Sequence, residues 1–161
     1  MDTGITLNPE RRAAMTKSGA WSDKLITDYF DQAVTNTPDR EAIVGYQVTG
    51  DTRTALTYRQ LNDKVTRMAA GLAAIGIGKG EVVACQLPNW WQTTALHLAC
   101  MRIGAILNPL MPIFRERELR FMLKHGEAKL LVIPKSFRGC DYEAMIDGIR
   151  GELPNLETLL V

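Results

Sequence analysis

The chain has 161 residues, of which 46% are apolar and 23% charged, and its formal net charge is +1. This length suits one domain with a sizeable core, and the near-neutral charge excludes a general electrostatic attraction to nucleic acid or to acidic membranes. The three cysteines are widely spaced and form no CxxC pair, which argues against a zinc site or a disulfide framework.

The first third of the chain predicts a polar segment, a helix and a hairpin. Residues 1–20 are polar and lack an apolar signal core, so neither a secretion signal nor a membrane span is predicted. Cys85 and Cys100 lie in apolar segments and are interpreted as small buried thiols, so a reducing, cytoplasmic location is expected. Residues 22–35 have helical apolar spacing. Residues 42–48 are rich in β-formers, and a turn at Gly50-Asp51 allows residues 52–56 to return as the second strand of a hairpin.

A capped amphipathic helix comes next. Thr57 and Gln60 fit the capping-box pattern, and apolar residues recur along one helical face as far as Ile75. The glycine-rich segment 76–80 then follows a helix and precedes a strand. This is the reverse of the order in a phosphate-binding loop, so the segment is interpreted as a helix end and a tight turn.

Apolar strands and helices alternate through the rest of the chain. The pattern predicts strands at 82–87, 105–108 and 129–133, helices at 91–102 and 115–124, and a further helix capped by Asp141. Asn89 is expected to cap the helix at 91–102, and Glu116 to Arg120 is available as an i,i+4 pair. Such alternation predicts a three-layer α/β arrangement with a mainly parallel sheet flanked by helices, plus the short N-terminal helix and hairpin.

Ligands meet parallel sheets at the carboxyl ends of the strands, here residues 87–89, 108–113 and 134–139. These segments contain no catalytic constellation and no metal-ligand spacing. His97 and His125 are interpreted as helix residues without a catalytic partner. Trp90 and Trp91 are interpreted as packing residues, with stacking on a ligand ring as the alternative. No catalytic or metal-binding residue is therefore predicted.

Four segments together resemble one enzyme family: LTYRQL at residues 56–61, and residues 71–77, 82–89 and 99–105. They are similar to the AMP-forming acyl-CoA synthetases of the adenylate-forming superfamily. Residues 114–119 and 137–142 resemble the branch that activates medium-chain and alicyclic acids, such as cyclohexanecarboxylate-CoA ligases. The resemblance spans residues 21–161, which are then expected to be an incomplete N-terminal domain of an AMP-binding enzyme.

The resemblance implies an acid–thiol ligase that uses ATP, CoA and Mg²⁺ to convert a carboxylic acid into its CoA thioester through an acyl-adenylate. The family's phosphate loop and catalytic lysine come later than Val161, so this chain alone is expected to be inactive and to hold no cofactor. Residues bordering the pantetheine path of CoA correspond to Pro112 and Ile113. Arg138 matches an arginine that contacts the CoA nucleotide in related enzymes.

Two alternatives remain open at the level of sequence. The chain could come from another adenylate-forming enzyme that loads a carrier protein, or it could be a natural truncation that acts as an interaction module. Exposed apolar surface on a truncated sheet makes a homodimer a further expectation. Neither nucleic acid nor a membrane span is expected among its partners.

Overall fold

The structure, a computed structural model, describes residues 8–47 and 52–161. Within these ranges the helices and strands alternate as a mixed α/β chain. They are α1 (Pro9–Lys17), α2 (Ile26–Asn36), β1 (Glu41–Gln47), β2 (Thr52–Thr57), α3 (Tyr58–Ala74), β3 (Val82–Cys85), α4 (Trp91–Ile103), β4 (Ile106–Pro109), α5 (Glu116–His125), β5 (Ala128–Val132), β6 (Ser136–Phe137), β7 (Cys140–Asp141), α6 (Tyr142–Asp147), a 3-10 turn (Arg150–Glu152) and β8 (Thr158–Leu160).

A four-stranded parallel sheet has the order β4-β3-β5-β8. Val82 in β3 is in register with Ile106 on one side and Ala128 on the other. All four residues of β3 are buried, as expected for a central parallel strand that is covered on both faces. The predicted parallel sheet is therefore confirmed.

Helices cover both faces of this sheet. Successive strand residues point to opposite faces, so Val83 packs in a core with α2, α3 and α4, whereas Val82 packs in a second core with α5 and α6. The layers are thus helix, sheet and helix, as the sequence predicts. None of the described helices has both the length and the hydrophobicity needed to cross a lipid bilayer.

The start of α3 has the predicted capping box. The Thr57 hydroxyl accepts from the Gln60 amide N–H at 3.3 Å, and the Gln60 side-chain oxygen accepts from the Thr57 N–H at 2.9 Å. The helix then buries Leu61, Val65 and Leu72 against the first core. The predicted hairpin is also present, since β1 and β2 pair antiparallel; its turn at Gly50-Asp51 lies outside the described residues.

Two local predictions were wrong. Asn89 does not cap α4, because the Trp90 N–H donates to the Pro88 carbonyl at 2.7 Å in a tight turn and α4 begins only at Trp91. Arg120 was expected to pair with Glu116. Instead it donates to Glu152, a residue of the 3-10 turn, at 2.9 Å. The N-terminal segment, of which only its polarity was predicted, contains α1, which begins where the Asn8 side chain accepts from two backbone N–H groups.

Candidate functional site

A cavity of about 550 Å³ lies beside the carboxyl end of the sheet, between the start of α5, the β6–β7 hairpin and the start of α6. We call it the arginine cavity, because two guanidinium groups contribute to its wall. Acidic side chains are present as well, so the wall is of mixed charge. The lining residues are Arg115, Glu116, Arg138, Gly139, Cys140, Asp141, Ala144 and Met145.

Arg138 lies at the tip of the β6–β7 hairpin. Its φ is +50° and that of Gly139 is +77°, the pair of left-handed conformations that a two-residue hairpin turn requires. Glycine accepts this conformation freely, but an arginine is strained in it. The guanidinium carbon lies 5.2 Å from the centre of the Phe137 ring, so the side chain stacks on its neighbour while remaining exposed.

The loop between β4 and α5 contains the other two predicted contact residues. The Pro112 carbonyl accepts from the Arg115 guanidinium and from the Tyr142 hydroxyl, each at 2.7 Å. Because Arg115 lines the arginine cavity, Pro112 is joined to the wall that also contains Arg138. Ile113 is 71% exposed on the same loop and is not a lining residue of the cavity.

Gln86 is a residue near this site that the sequence reasoning missed. It is fully buried directly after β3, and its amide N–H groups donate to the carbonyls of Met111 at 3.1 Å and Phe114 at 3.0 Å. The available signal was a single amide at the end of the apolar run 82–85, where a buried polar side chain must find partners within the protein.

A larger, apolar cleft of about 730 Å³ lies on the face of the sheet that α3 and α4 cover only in part. Trp90 borders this cleft and packs edge-on against Phe137, with ring centres 6.1 Å apart. This contact supports the packing interpretation of Trp90. The other lining residues are Met68, Gly71, Leu72, Ile75, Leu87, Gln92, Leu96, Val132, Ile133, Pro134, Lys135, Ser136, Leu160 and Val161.

The two histidines and the two buried cysteines make packing and backbone contacts within the fold. The His97 ring lies 3.2 Å from the Thr93 carbonyl within α4, and His125 stacks on Phe121 at 5.4 Å. Burial raises the pKa of the Cys100 thiol to about 12 and also raises the pKa of Cys85, so both thiols stay protonated and unreactive near neutral pH. Among the described residues no group of three metal-ligating side chains comes together.

The architecture defines a class of protein. The N-terminal domain of FACL13 from Mycobacterium tuberculosis superimposes on this chain with a TM-score of 0.70 and 25% sequence identity, covering 85% of this chain and 33% of that one. The fold is thus that of the N-terminal domain of adenylate-forming enzymes. The AMP-binding enzyme family matches residues 30–161, and the chain therefore belongs to this family of adenylate-forming carboxylate ligases.

Individual relatives differ in what they act on. The chain is 33% identical over 160 residues to the medium-chain fatty-acid–CoA ligase of Escherichia coli strain K12, covering 99% of this chain and 27% of that enzyme. It is 30% identical over 162 residues to the vibriobactin-specific 2,3-dihydroxybenzoate-AMP ligase of Vibrio cholerae, covering 100% of this chain and 29% of the relative. The chain thus spans somewhat more than a quarter of the length of these relatives.

Proposed function

We propose that this chain is the N-terminal portion of an ATP-dependent ligase that joins a medium-chain or alicyclic carboxylic acid to CoA. In the first step the carboxylate attacks the α-phosphate of ATP, forming an acyl-adenylate and releasing pyrophosphate. In the second step the CoA thiol attacks the acyl carbon and displaces AMP. The observation that carries the substrate class is the 33% identity, over 99% of this chain, to a ligase named for medium-chain fatty acids.

The part that this chain plays is contact with CoA at the arginine cavity. A planar guanidinium binds two oxygens of a phosphate at once, and Arg115 and Arg138 both line the wall. The carboxylate of Asp141 is engaged with the Ala144 N–H at 3.0 Å as the cap of α6, which reduces its repulsion of an incoming phosphate. The described residues offer no cluster that suits Mg²⁺, so no step is assigned to the metal here.

The test of this role is Arg138→Ala in the full-length ligase. We expect the Michaelis constant for CoA to rise by an amount equivalent to about 1–3 kcal/mol, the range for a lost charge-assisted contact. Pyrophosphate exchange, which reports the adenylation step, should be nearly unchanged. Arg53→Ala, on the exposed β1–β2 hairpin, is the matched control and should alter neither quantity. A fall in exchange with an unchanged Michaelis constant for CoA contradicts the assignment.

The isolated chain should form no acyl-adenylate. The described residues contain no catalytic constellation of the kind that activates ATP, and the resemblance implies that the family's phosphate loop corresponds to no part of this sequence. Pyrophosphate exchange by the purified chain should therefore stay at background with any carboxylic acid. Measurable exchange contradicts the proposal that the chemistry needs further parts of a ligase.

A second candidate is the activation of an aryl acid that is then loaded onto a carrier protein. The 30% identity to the 2,3-dihydroxybenzoate-AMP ligase, over the whole of this chain, favours it. The two candidates differ in the thiol that accepts the acyl group. Thioester formation with free CoA supports the first candidate, whereas transfer only to a phosphopantetheinylated carrier protein supports the second.

A further inference from the structure

We propose that Gln86 and Tyr142 are positioning residues for the thioester-forming step, because they fix the conformation of the turn at residues 111–114 beside the arginine cavity. We call these four residues the β4–α5 turn. The inference rests on the proposed function, since it concerns the same CoA path. It adds two residues that hold the turn without belonging to it or lining the cavity.

Gln86 shows a pattern of contacts that stability alone does not explain. Its side chain is fully buried, and it is the one buried polar side chain among the described residues. The amide donates to the carbonyls of Met111 and Phe114, but its own oxygen has no partner in the part of the chain that the structure describes. An unpaired buried acceptor destabilises a fold. Gln86 leaves an acceptor unpaired and yet donates to two carbonyls of one turn. Its role is therefore best explained as fixing the conformation of that turn.

Tyr142 contacts the same turn from the start of α6. Its side chain is 1% exposed, and its hydroxyl donates to the Pro112 carbonyl at 2.7 Å. Arg115 donates to the carbonyls of Pro112 and Phe114 at 2.7 and 2.8 Å, and its guanidinium carbon lies 5.8 Å from the centre of the Tyr142 ring. The carbonyls of Met111, Pro112 and Phe114 therefore all accept from side chains.

These contacts determine where the exposed part of the turn lies. The Phe114 N–H closes the turn on the Met111 carbonyl at 3.1 Å, and Ile113 extends from it into solvent. Gln86, directly after β3, and Tyr142, in α6, thus connect the turn to a strand and to a helix. Each of the three carbonyls that accept from side chains has two donors, so removing one donor leaves it with a single contact and allows the turn to shift, which moves Ile113 and the Arg115 side of the cavity. A ligand that contacts this surface is then bound less well.

The experiment uses Gln86→Met and Tyr142→Phe in the full-length ligase. Methionine keeps the volume of glutamine without its N–H groups, and phenylalanine removes only the hydroxyl. We expect the Michaelis constant for CoA to rise about two- to tenfold in Tyr142→Phe, as for the loss of one net hydrogen bond. It should rise further in Gln86→Met, which loses the two hydrogen bonds that the amide donates. Pyrophosphate exchange should stay within about twofold of the unaltered enzyme, by the same hydrogen-bond argument applied to a site that loses none. Tyr58→Phe, which lies against Phe30 on the other face of the sheet, is the matched control.

Ile113→Asp separates this inference from the proposed function, because it alters the exposed turn directly. A raised Michaelis constant for CoA in all three variants upholds the inference. A rise for Ile113→Asp alone overturns the positioning role and leaves the CoA path intact. If the Michaelis constant for CoA is unchanged both in Ile113→Asp and in Arg138→Ala, the proposed function is overturned, and the inference with it. Equal losses of exchange and CoA use in Tyr142→Phe show that its role is purely structural, and this also overturns the inference. Should Gln86→Met fail to fold, Tyr142→Phe decides, since it creates no new polar or steric conflict.

Discussion

Arg102 joins three helices through one guanidinium. It donates to Asp31 in α2 at 2.5 Å, and to Asn62 and Thr66 in α3 at 2.7 and 2.9 Å. The side chain is 21% exposed, so water replaces these partners poorly. We expect Arg102→Ala to lower the free energy of unfolding by about 1.5–3 kcal/mol, the range for hydrogen bonds to charged groups.

Urea denaturation of the unaltered chain and of Arg102→Ala measures this difference in the free energy of unfolding. Arg53→Ala is the control, since the Arg53–Glu41 pair is about half exposed on both sides. Exposed ion pairs contribute about 0–1 kcal/mol, so its effect should be smaller. Equal losses for both variants contradict the central role given to Arg102.

The backbone of Arg138 makes a second prediction at this scale. Two non-glycine residues in the described ranges have positive φ, Glu127 at +51° and Arg138 at +50°. Glycine removes the strain, so Arg138→Gly and Glu127→Gly should each stabilise the chain by about 0.5–1 kcal/mol. Thermal or urea unfolding measures the gain.

The two variants should differ in function. Glu127→Gly is the matched control, because Glu127 does not line the arginine cavity. Only Arg138→Gly should weaken the use of CoA by the full-length ligase. A loss of stability in Arg138→Gly shows that the stacking on Phe137 outweighs the backbone strain, and equal CoA use by both variants contradicts the role of the guanidinium.

At the scale of elements, the contacts of one lysine side chain join the end of α3 to strands β3 and β5. Lys129 in β5 donates to Glu81, just before β3, at 2.6 Å and to the Gly76 carbonyl at 3.0 Å. The hydrogen bond from Lys129, followed by that from the Gly78 N–H, lowers the pKa of Glu81. The hydrogen bond to Glu81 in turn raises the pKa of Lys129.

These shifts set the direction of a pH dependence. The folded-state pKa of Glu81 lies below its unfolded value, so its contribution is present at neutral pH and is lost as the pH falls below the usual glutamate value of 4.5. The contribution of Lys129 is lost at the other extreme, as the pH rises through 10.5 and above. Urea unfolding of Glu81→Gln from pH 3 to 7 should show a weaker pH dependence than the unaltered chain. An identical dependence contradicts the assignment.

The elements were largely predictable because periodicity and capping are local properties. The capping box at Thr57 and the buried strand at Val82 both follow from a few adjacent residues. The wrong predictions depended on partners far away in the chain or on turn geometry, as at Asn89 and Arg120. The resemblance to a family supplied Arg138 and Pro112 as candidates, and their role stays a prediction. Gln86 was missed because its two acceptors lie more than twenty residues further along the chain.

For the whole molecule, the apolar cleft is an exposed hydrophobic surface beside α3. It includes Ile75, Leu160 and Val161, all more than two-fifths exposed. Contiguous apolar surface of this kind promotes association. We expect the isolated chain of 161 residues to dimerise or aggregate as its concentration rises, which sedimentation velocity measures.

Leu160→Lys places a charge at the rim of the cleft and on the edge strand β8, and it should shift the chain towards the monomer. Phe121→Lys is the control, because Phe121 is even more exposed than Leu160 but lies on α5, on the other side of the sheet. A well-behaved monomer at high concentration contradicts the prediction, and so does an equal effect of the two variants.

The order of the strands has a consequence for the protein during its synthesis. β3 has β4 and β5 as its neighbours in the sheet. Of these two neighbours, β4 is synthesised before β5. One side of β3 is therefore paired early, whereas the other keeps its backbone N–H and C=O groups unpaired until translation has passed Val132 and α5 has crossed the sheet. Long-range parallel pairing is slow to form. The nascent chain thus passes through a stage in which its most apolar strand has a free edge, the stage at which chaperones protect such chains from aggregation.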